Sequence, residues 1–180
     1  GIGPQSERDM IYQLTVPQFS KMLDNLSAIL QKAAAYADSK KFDVTVLLNS
    51  RLAPDQFALI RQVQITCDTA KLGVARLTGT VDQAPKNADD ETTLEQLQQR
   101  IRDTQAYLAT FSAADFANSA TQVITQPRWE GKTLSGEEFL LQHVIPNFYF
   151  HLTTTYAILR HNGVEVGKKD YLGPMPYRAA

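Results

Sequence analysis

The chain has 180 residues, 43% of them hydrophobic and 21% charged. That length suits one domain with a sizeable core, and that composition argues against disorder. Lys+Arg 18 against Asp+Glu 19 gives a formal net charge of −1, and without a basic excess to hold a phosphate backbone a nucleic-acid partner is disfavoured.

In chain order, residues 1–9 (GIGPQSERD) have no periodicity. They read as a tag remnant ahead of a native start near Met10, or as a disordered native tail. Val16, Phe19, Leu23, Leu26, Leu30, Ala33 and Ala37 then step by three and four, which predicts a helix over 16–37 with Thr15 as N-cap and Pro17 in its first turn. Asp38–Lys41 is a polar break, and Asp43–Leu52 a short apolar connection that could hold one helical turn. A second helix is expected from Pro54, on the stripe Ile60, Val63, Cys67, Ala70, Val74 and Leu77, with Gly79 as its stop. Residues 80–92 are polar and aperiodic, a loop.

Thr93 and Gln96 have capping-box spacing and open a third helix on Leu94, Leu97, Ile101, Thr104, Leu108 and Phe111. Ser112–Phe116 adds a short turn. Val123–Thr125, Trp129, the Glu130-Gly131 turn and Lys132–Leu134 predict a small β-hairpin over 121–134. Ser135 and Glu138 form a second capping box, starting a fourth helix that ends at Asn162-Gly163. The segment after it, rich in Gly and Pro, should wrap the surface or dangle, with the domain spanning 10–173 and 174–180 as a tail. Four amphipathic helices with one apolar stripe each bury those stripes against each other. The expected fold is all-α, a four-helix bundle with a small hairpin between its third and fourth helices.

All three histidines lie on the fourth helix. On a helical wheel with Leu141 at zero, Ile145, Phe148, Leu152, Thr155, Tyr156 and Leu159 fall within about 60° and form the expected core face. Leu140, Val144 and Ile158 widen the apolar arc on one side, and His151 falls within that widened arc. Asn147 and Thr154 lie just beyond it, His143 points further away, and His161 sits at the exposed end. His151 and Asn147 are therefore neighbours four apart on a core flank, the spacing of two ligands on one helix. Imidazole binds zinc, nickel or iron well; an amide oxygen does not. Pro146 removes one backbone hydrogen bond and should kink the helix, freeing a carbonyl near residue 142. That kink could widen a pocket beside Asn147.

Asn25-Leu-Ser-Ala-Ile-Leu30, Arg51-Leu-Ala-Pro-Asp55, Arg61-Gln-Val-Gln64, Pro146-Asn-Phe-Tyr-Phe-His151 and Tyr156-Ala-Ile-Leu-Arg-His-Asn-Gly163 carry a resemblance. The chain resembles the DinB-like superfamily, the DinB/YfiT-type metalloenzymes, and more closely an uncharacterised branch of it, from about Met10 to Gly173. The resemblance implies a four-helix bundle, often homodimeric. Metal-binding members hold a divalent ion with one His on the second helix and a His-x-x-x-His pair on the fourth, and some members transfer or isomerise substrates through a low-molecular-weight thiol. Here the second His of the pair matches His151, the first matches Asn147, and Gln62 or Gln64 stands near the second-helix position, with Gln62 favoured. A divalent ion such as zinc or nickel would thus have one good ligand, His151, with Gln62 and Asn147 as weak ones. Two amides and an imidazole could still hydrogen-bond a small polar ligand, with Thr154 beside them.

Other candidates read as structural. Cys67, the one cysteine, excludes an internal disulfide, fits a reducing cytoplasm and is expected to be buried and inert. Arg51, Asp55 and Arg61 read as a salt-bridged loop anchor rather than an anion pocket. Asp89, Asp90 and Glu91 should be solvated, near the third helix's N-terminus. Phe148, Tyr149, Phe150 and Tyr156 fit a core and a dimer interface. No apolar run approaches the roughly 20 residues that span a bilayer, and there is no signal-peptide pattern. Three functional readings follow: a small-ligand-binding or stress-related cytoplasmic protein with a degenerate metal site, a metal- or thiol-dependent transferase or isomerase, or a structural homodimer with no active cleft.

Overall fold

A computed structural model describes residues 3–180. The first helix, α1, spans Pro4–Lys40 and so starts well before the expected Val16. Pro4 stands at its first turn, where a missing N–H costs nothing. Residues 4–9, expected as a tail, are helical; Gly1 and Ile2 of that segment lie outside the described residues. Thr15 is therefore no cap: its hydroxyl donates to the Ile11 carbonyl at 2.8 Å, inside the helix. Pro17 is likewise interior. What sustains the early turns is packing, because Ile11 is buried and Tyr12 meets Phe116 edge-on at 5.9 Å.

A single helical turn, α2 (Thr45–Leu48), occupies the apolar connection. The second long helix, α3 (Leu59–Leu77), begins at Leu59 rather than Pro54, since Arg51 donates to the Gln56 carbonyl at 2.6 Å and holds residues 51–56 as a loop. The third, α4 (Leu94–Leu108), carries the expected Thr93/Gln96 capping box. Two short strands follow, β1 (Val123–Ile124) and β2 (Leu134–Ser135), paired antiparallel with Val123 opposite Ser135 and Ile124 opposite Leu134. The Ser135/Glu138 capping box then opens α5 (Gly136–Phe139), which runs through a π-helical turn at Leu140–Val144 into α6 (Ile145–His161). Gly163, at φ 95°, supplies the left-handed stop. The chain continues through buried Val164 and Val166 into α7 (Lys168–Leu172). That segment is tied to α1 by Lys32–Asp170 at 2.7 Å and by the Asn25 amide donating to the Tyr171 carbonyl at 3.0 Å. Residues 174–180 are exposed.

The long elements α1, α3, α4 and the α5–α6 rod form a four-helix bundle with the small hairpin set between the third and fourth helices. Phe19, Leu23, Leu26, Leu30, Val63, Val74, Leu97, Phe148, Leu152 and Leu159 are fully buried at its centre, each worth about 1.5–3 kcal/mol of apolar burial. Phe19 and Phe148 stack at 4.2 Å. Tyr149 and Tyr156 are half-buried and Phe150 is exposed.

The kink expected at Pro146 takes another form. Pro146 has no N–H for the Gln142 carbonyl, and the turn before it widens: the Ile145 N–H donates to the Leu140 carbonyl, five residues back. One residue is thereby inserted into the helical register. Leu141, placed at the centre of the expected core face, is 53% exposed, while Leu140 and Val144 are buried. Val144 sits against Gly73, where even a single Cβ would come within 2.8 Å of its methyl carbon.

The acidic loop is also not freely solvated. Arg100, 3% exposed, donates to Asp68 at 2.8 Å, Asp89 at 2.6 Å and Glu91 at 2.8 Å. Lys71 adds a bond to the Pro85 carbonyl at 2.6 Å. A desolvated guanidinium needs acceptors, and the loop carboxylates supply them. Asp90 alone of the three acids stays out of this clamp. Arg100→Met, which leaves three carboxylates facing one another, should lower unfolding stability by about 2–4 kcal/mol, discounted for the partial exposure of Asp89. Chemical denaturation checks it, and a loss below about 0.5 kcal/mol would show the clamp to be ornamental.

Candidate functional site

Helices α3 and α6 run antiparallel, so residues rising along one meet residues falling along the other. Gln62 meets His151, Thr69 meets Asn147, and Gly73 meets Val144. His151 Nδ1 lies 2.6 Å from Gln62 Oε1. The other end of that amide settles the roles. Gln62 Nε2 donates to the Phe57 carbonyl at 3.1 Å, so Oε1 is the acceptor and Nδ1 carries the proton. Nε2 of His151 is left with its lone pair and no partner among the described residues. Burial first, and then the Arg61 charge, hold the His151 pKa below the ordinary imidazole value. The ring is neutral near pH 7.

Asn147 is oriented in the same way. Its amide nitrogen donates to Thr69 Oγ1 at 2.9 Å, and that hydroxyl donates in turn to the Ile65 carbonyl at 2.7 Å. Asn147 Oδ1 is left as a free acceptor. Both groups line a cavity of about 400 Å³ between α3 and α6, whose far end is lined by Arg76, Arg128 and His143. That volume lies within the range of small-molecule sites.

The remaining expected site residues fall elsewhere. Gln62 stands behind His151 rather than on the cavity wall. Gln64 faces the other way, donating to Glu91 at 2.9 Å. Thr154 is buried off the cavity, its hydroxyl returned to the Phe150 carbonyl at 2.8 Å. Arg61 lines the cavity but pairs with Asp89 at 3.4 Å, not with Asp55. Arg51, Asp55 and Arg61 thus form no mutual ion pair, because residues 51–58 carry the first two away from α3. Cys67 is 1% exposed, and burial pushes its thiol up to about 12, so it is not a nucleophile.

Arg76, Gln126 and Arg128 carry no part of the sequence reading, and His143, expected to point further away, lines the cavity instead. One signal existed: Gln62, Thr69 and Arg76 recur every seven residues, a polar line beside the apolar stripe of α3. His143 carried none, because the inserted π-turn residue is what turns it inward. It stacks on Phe139 at 5.3 Å with the planes 16° apart.

The model of the domain of unknown function DUF1993 matches residues 11–172. The chain belongs to this DUF1993 family. It is also 66% identical to a DinB family member protein from Shewanella denitrificans of known crystal structure, with a TM-score of 0.96 over 98% of this chain and 99% of that one. No curated protein matches. The DinB relationship raises the question of a metal, and the donor set does not fit one. Gln62 Oε1 is occupied by His151 Nδ1, the Asn147 position offers an amide, and one imidazole remains. Among the described residues no three His, Cys, Asp or Glu side chains gather as a metal would require.

His151 and His143 both titrate below the ordinary 6.5, each chiefly through burial. The unfolded chain therefore binds more protons than the folded one between 6.5 and the lowered values. Stability should fall as pH drops through that window and level off below it. Melting temperatures from pH 7.5 to 5 should show this fall, and His151→Gln with His143→Phe should flatten it. An unchanged slope in the double variant would place the titration on other groups.

Proposed function

We propose that this protein binds a small polar ligand in the α3–α6 cavity without a resident transition metal, using His151 Nε2 and Asn147 Oδ1 as acceptors. The His151–Gln62 bond carries the reading. It fixes the tautomer, keeps the ring oriented and leaves a neutral nitrogen at the wall of a metabolite-sized cavity. Gln62 acts behind His151 as a positioning residue, and Thr154 has no part.

A second reading rests on the same nitrogen. A neutral, oriented imidazole can take a proton from a hydroxyl, amine or thiol of the ligand, which is the step a transferase or isomerase would use. Any thiol in that chemistry arrives with the ligand, because Cys67 is sealed in the core. The place of His151 on the wall of a half-open cavity speaks against a purely structural polar band.

Elemental analysis of tag-free protein, with and without added zinc or nickel, tests the first clause. Well under one ion per chain is expected; about one ion per chain, lost in His151→Ala, would overturn it. A thermal-shift screen of small metabolites tests the second. Hits should lose their shift in His151→Ala and in Asn147→Ala, while hits that persist in both variants bind elsewhere.

The reading includes a cytoplasmic homodimer. Met10 and Leu141, each 53% exposed, edge an apolar groove with Ile11, Leu14 and Leu140, a surface suited to a second copy. Among the described residues no helix is long and apolar enough to cross a membrane. Light scattering should give twice the chain mass, falling to one chain in Leu141→Asp; a monomeric wild type would remove the dimer from the reading.

A further inference from the structure

We propose that the end of the cavity formed by Arg76, Gln126, Arg128 and His143 is an oxyanion subsite, taking the carboxylate or phosphate of a small metabolite whose other end reaches His151. The proposal deepens the ligand-binding reading and rests on it for the second half of the molecule alone.

Arg76 is half-buried on α3, and Arg128 comes from the segment between the strands. Neither makes an ion pair or a side-chain hydrogen bond within the described residues. The third cavity arginine, Arg61, is paired with Asp89. The cavity carboxylate, Asp68, is already engaged by Arg100 at 2.8 Å and Lys71 at 3.6 Å. Two guanidinium groups thus face one space with no counter-charge. Their mutual repulsion is visible in the lowered pKa of Arg76, whose causes are burial first and Arg128 second. Both arginines also help hold His143 down, after burial.

Gln126 is the independent observation. It is 9% exposed, lines the same cavity, and its side-chain amide has no partner among the described residues. Its amide atoms are open to the cavity rather than sealed in the core, so the NH2 is free to donate to a ligand. An oxyanion between the arginines would accept from this amide and from both guanidinium groups, meeting all three requirements with one ligand group. The Phe139 ring and the His143 ring stacked on it form a flat wall on this side.

The cavity is therefore polarised along its length. Donors without a protein partner gather at the Arg76 end, and the free acceptors, His151 Nε2 and Asn147 Oδ1, stand toward the other, where the Arg61 charge is paired with Asp89. His143 and His151 are eight positions apart on one rod, about 12 Å at helical rise. A ligand filling the site carries an anion at one end and a hydroxyl, amine or thiol at the other. The cavity of about 400 Å³ suits a metabolite and not a polymer.

Inorganic phosphate and succinate are the probes. Each is titrated at low salt into the full chain, read by calorimetry and by the NMR signals of the His143 ring. Saturable binding in the millimolar range is expected for at least one. Affinity should fall about tenfold or more in Arg128→Gln, which is exposed and tolerant of change, and likewise in Arg76→Gln. Arg160→Gln, on the exposed face of α6, should bind as the wild type does. A response to phosphate alone assigns a phosphoryl group, and a response to succinate alone a carboxylate; either supports the subsite. No saturable binding to roughly 20 mM, or wild-type affinity retained in both cavity-arginine variants, would overturn it. His151→Ala should leave phosphate or succinate binding intact. Failure of the ligand reading at His151 is thereby distinguishable from failure of the subsite.

Discussion

Pro146 has no amide hydrogen, and the register of the whole fourth rod follows from how the chain absorbs that lack. A plain proline kink would leave the Gln142 carbonyl bare and keep Leu141 on the core face. The π-helical turn instead moves the break one step toward the N-terminus and lets the Ile145 N–H reach Leu140. Leu140 and Val144 then face the core, and Leu141 faces outward. The contact of Val144 with Gly73 locks this register, because α3 can approach so closely only where it has no side chain. Downstream, Asn147 and His151 are delivered opposite Thr69 and Gln62. Upstream, His143 is turned against Phe139 at the cavity's end. One missing hydrogen thus decides which polar groups of this rod meet α3.

Helix α3 divides its polar residues by role. On one side Asp68 and Lys71 belong to the clamp around Arg100, where the carboxylates, the Lys71 amine and both terminal guanidinium nitrogens are partnered and Arg100 Nε alone of the clamp lacks an acceptor. On the other, Thr69 and Gln62 are satisfied, but the partners they orient are each left with one free atom. A buried polar group that is only half satisfied is costly unless water or a ligand completes it. Around Arg100 both terminal guanidinium nitrogens are satisfied within the protein, whereas His151 Nε2 and Asn147 Oδ1 face a cavity. On the proposed reading, facing a cavity rather than other protein groups separates the polar wall of His151 and Asn147 from the Arg100 cluster more sharply than residue type does.

The bundle and its boundaries were legible where local chemistry is strong. Both capping boxes, the hairpin, the Gly163 stop and the stripes of α3 and α4 form where spacing and residue type demand them. The start of α1 was not, because its early turns are held by Ile11 and by Tyr12 against Phe116, contacts more than a hundred residues apart in the chain. The face of the fourth rod was misjudged for a related reason: a wheel assumes a constant 3.6 residues per turn, and the π turn breaks that assumption. His151, Asn147 and Gln62 were identifiable as neighbours, while Arg76, Gln126 and Arg128 were not. The last two stand between short strands, and nothing in a local pattern says which way that segment folds back.

The bond between His151 and Gln62 also bears on how this branch can differ from metal-binding DinB proteins. Two ligands of a tetrahedral ion, each about 2.0–2.1 Å from the metal, stand about 3.3 Å apart. The His151 Nδ1 and Gln62 Oε1 atoms are 2.6 Å apart, so they touch through a proton and cannot share an ion without separating. The proton on Nδ1 then does what a metal's second-shell carboxylate does elsewhere: it fixes the ring and directs Nε2. In a metal site that directed nitrogen ends on the ion. Here it ends on the open cavity, beside an amide oxygen oriented in the same sense. On the proposed ligand-binding reading, that nitrogen serves as an acceptor for a hydrogen-bonding partner rather than as a ligand for a cation.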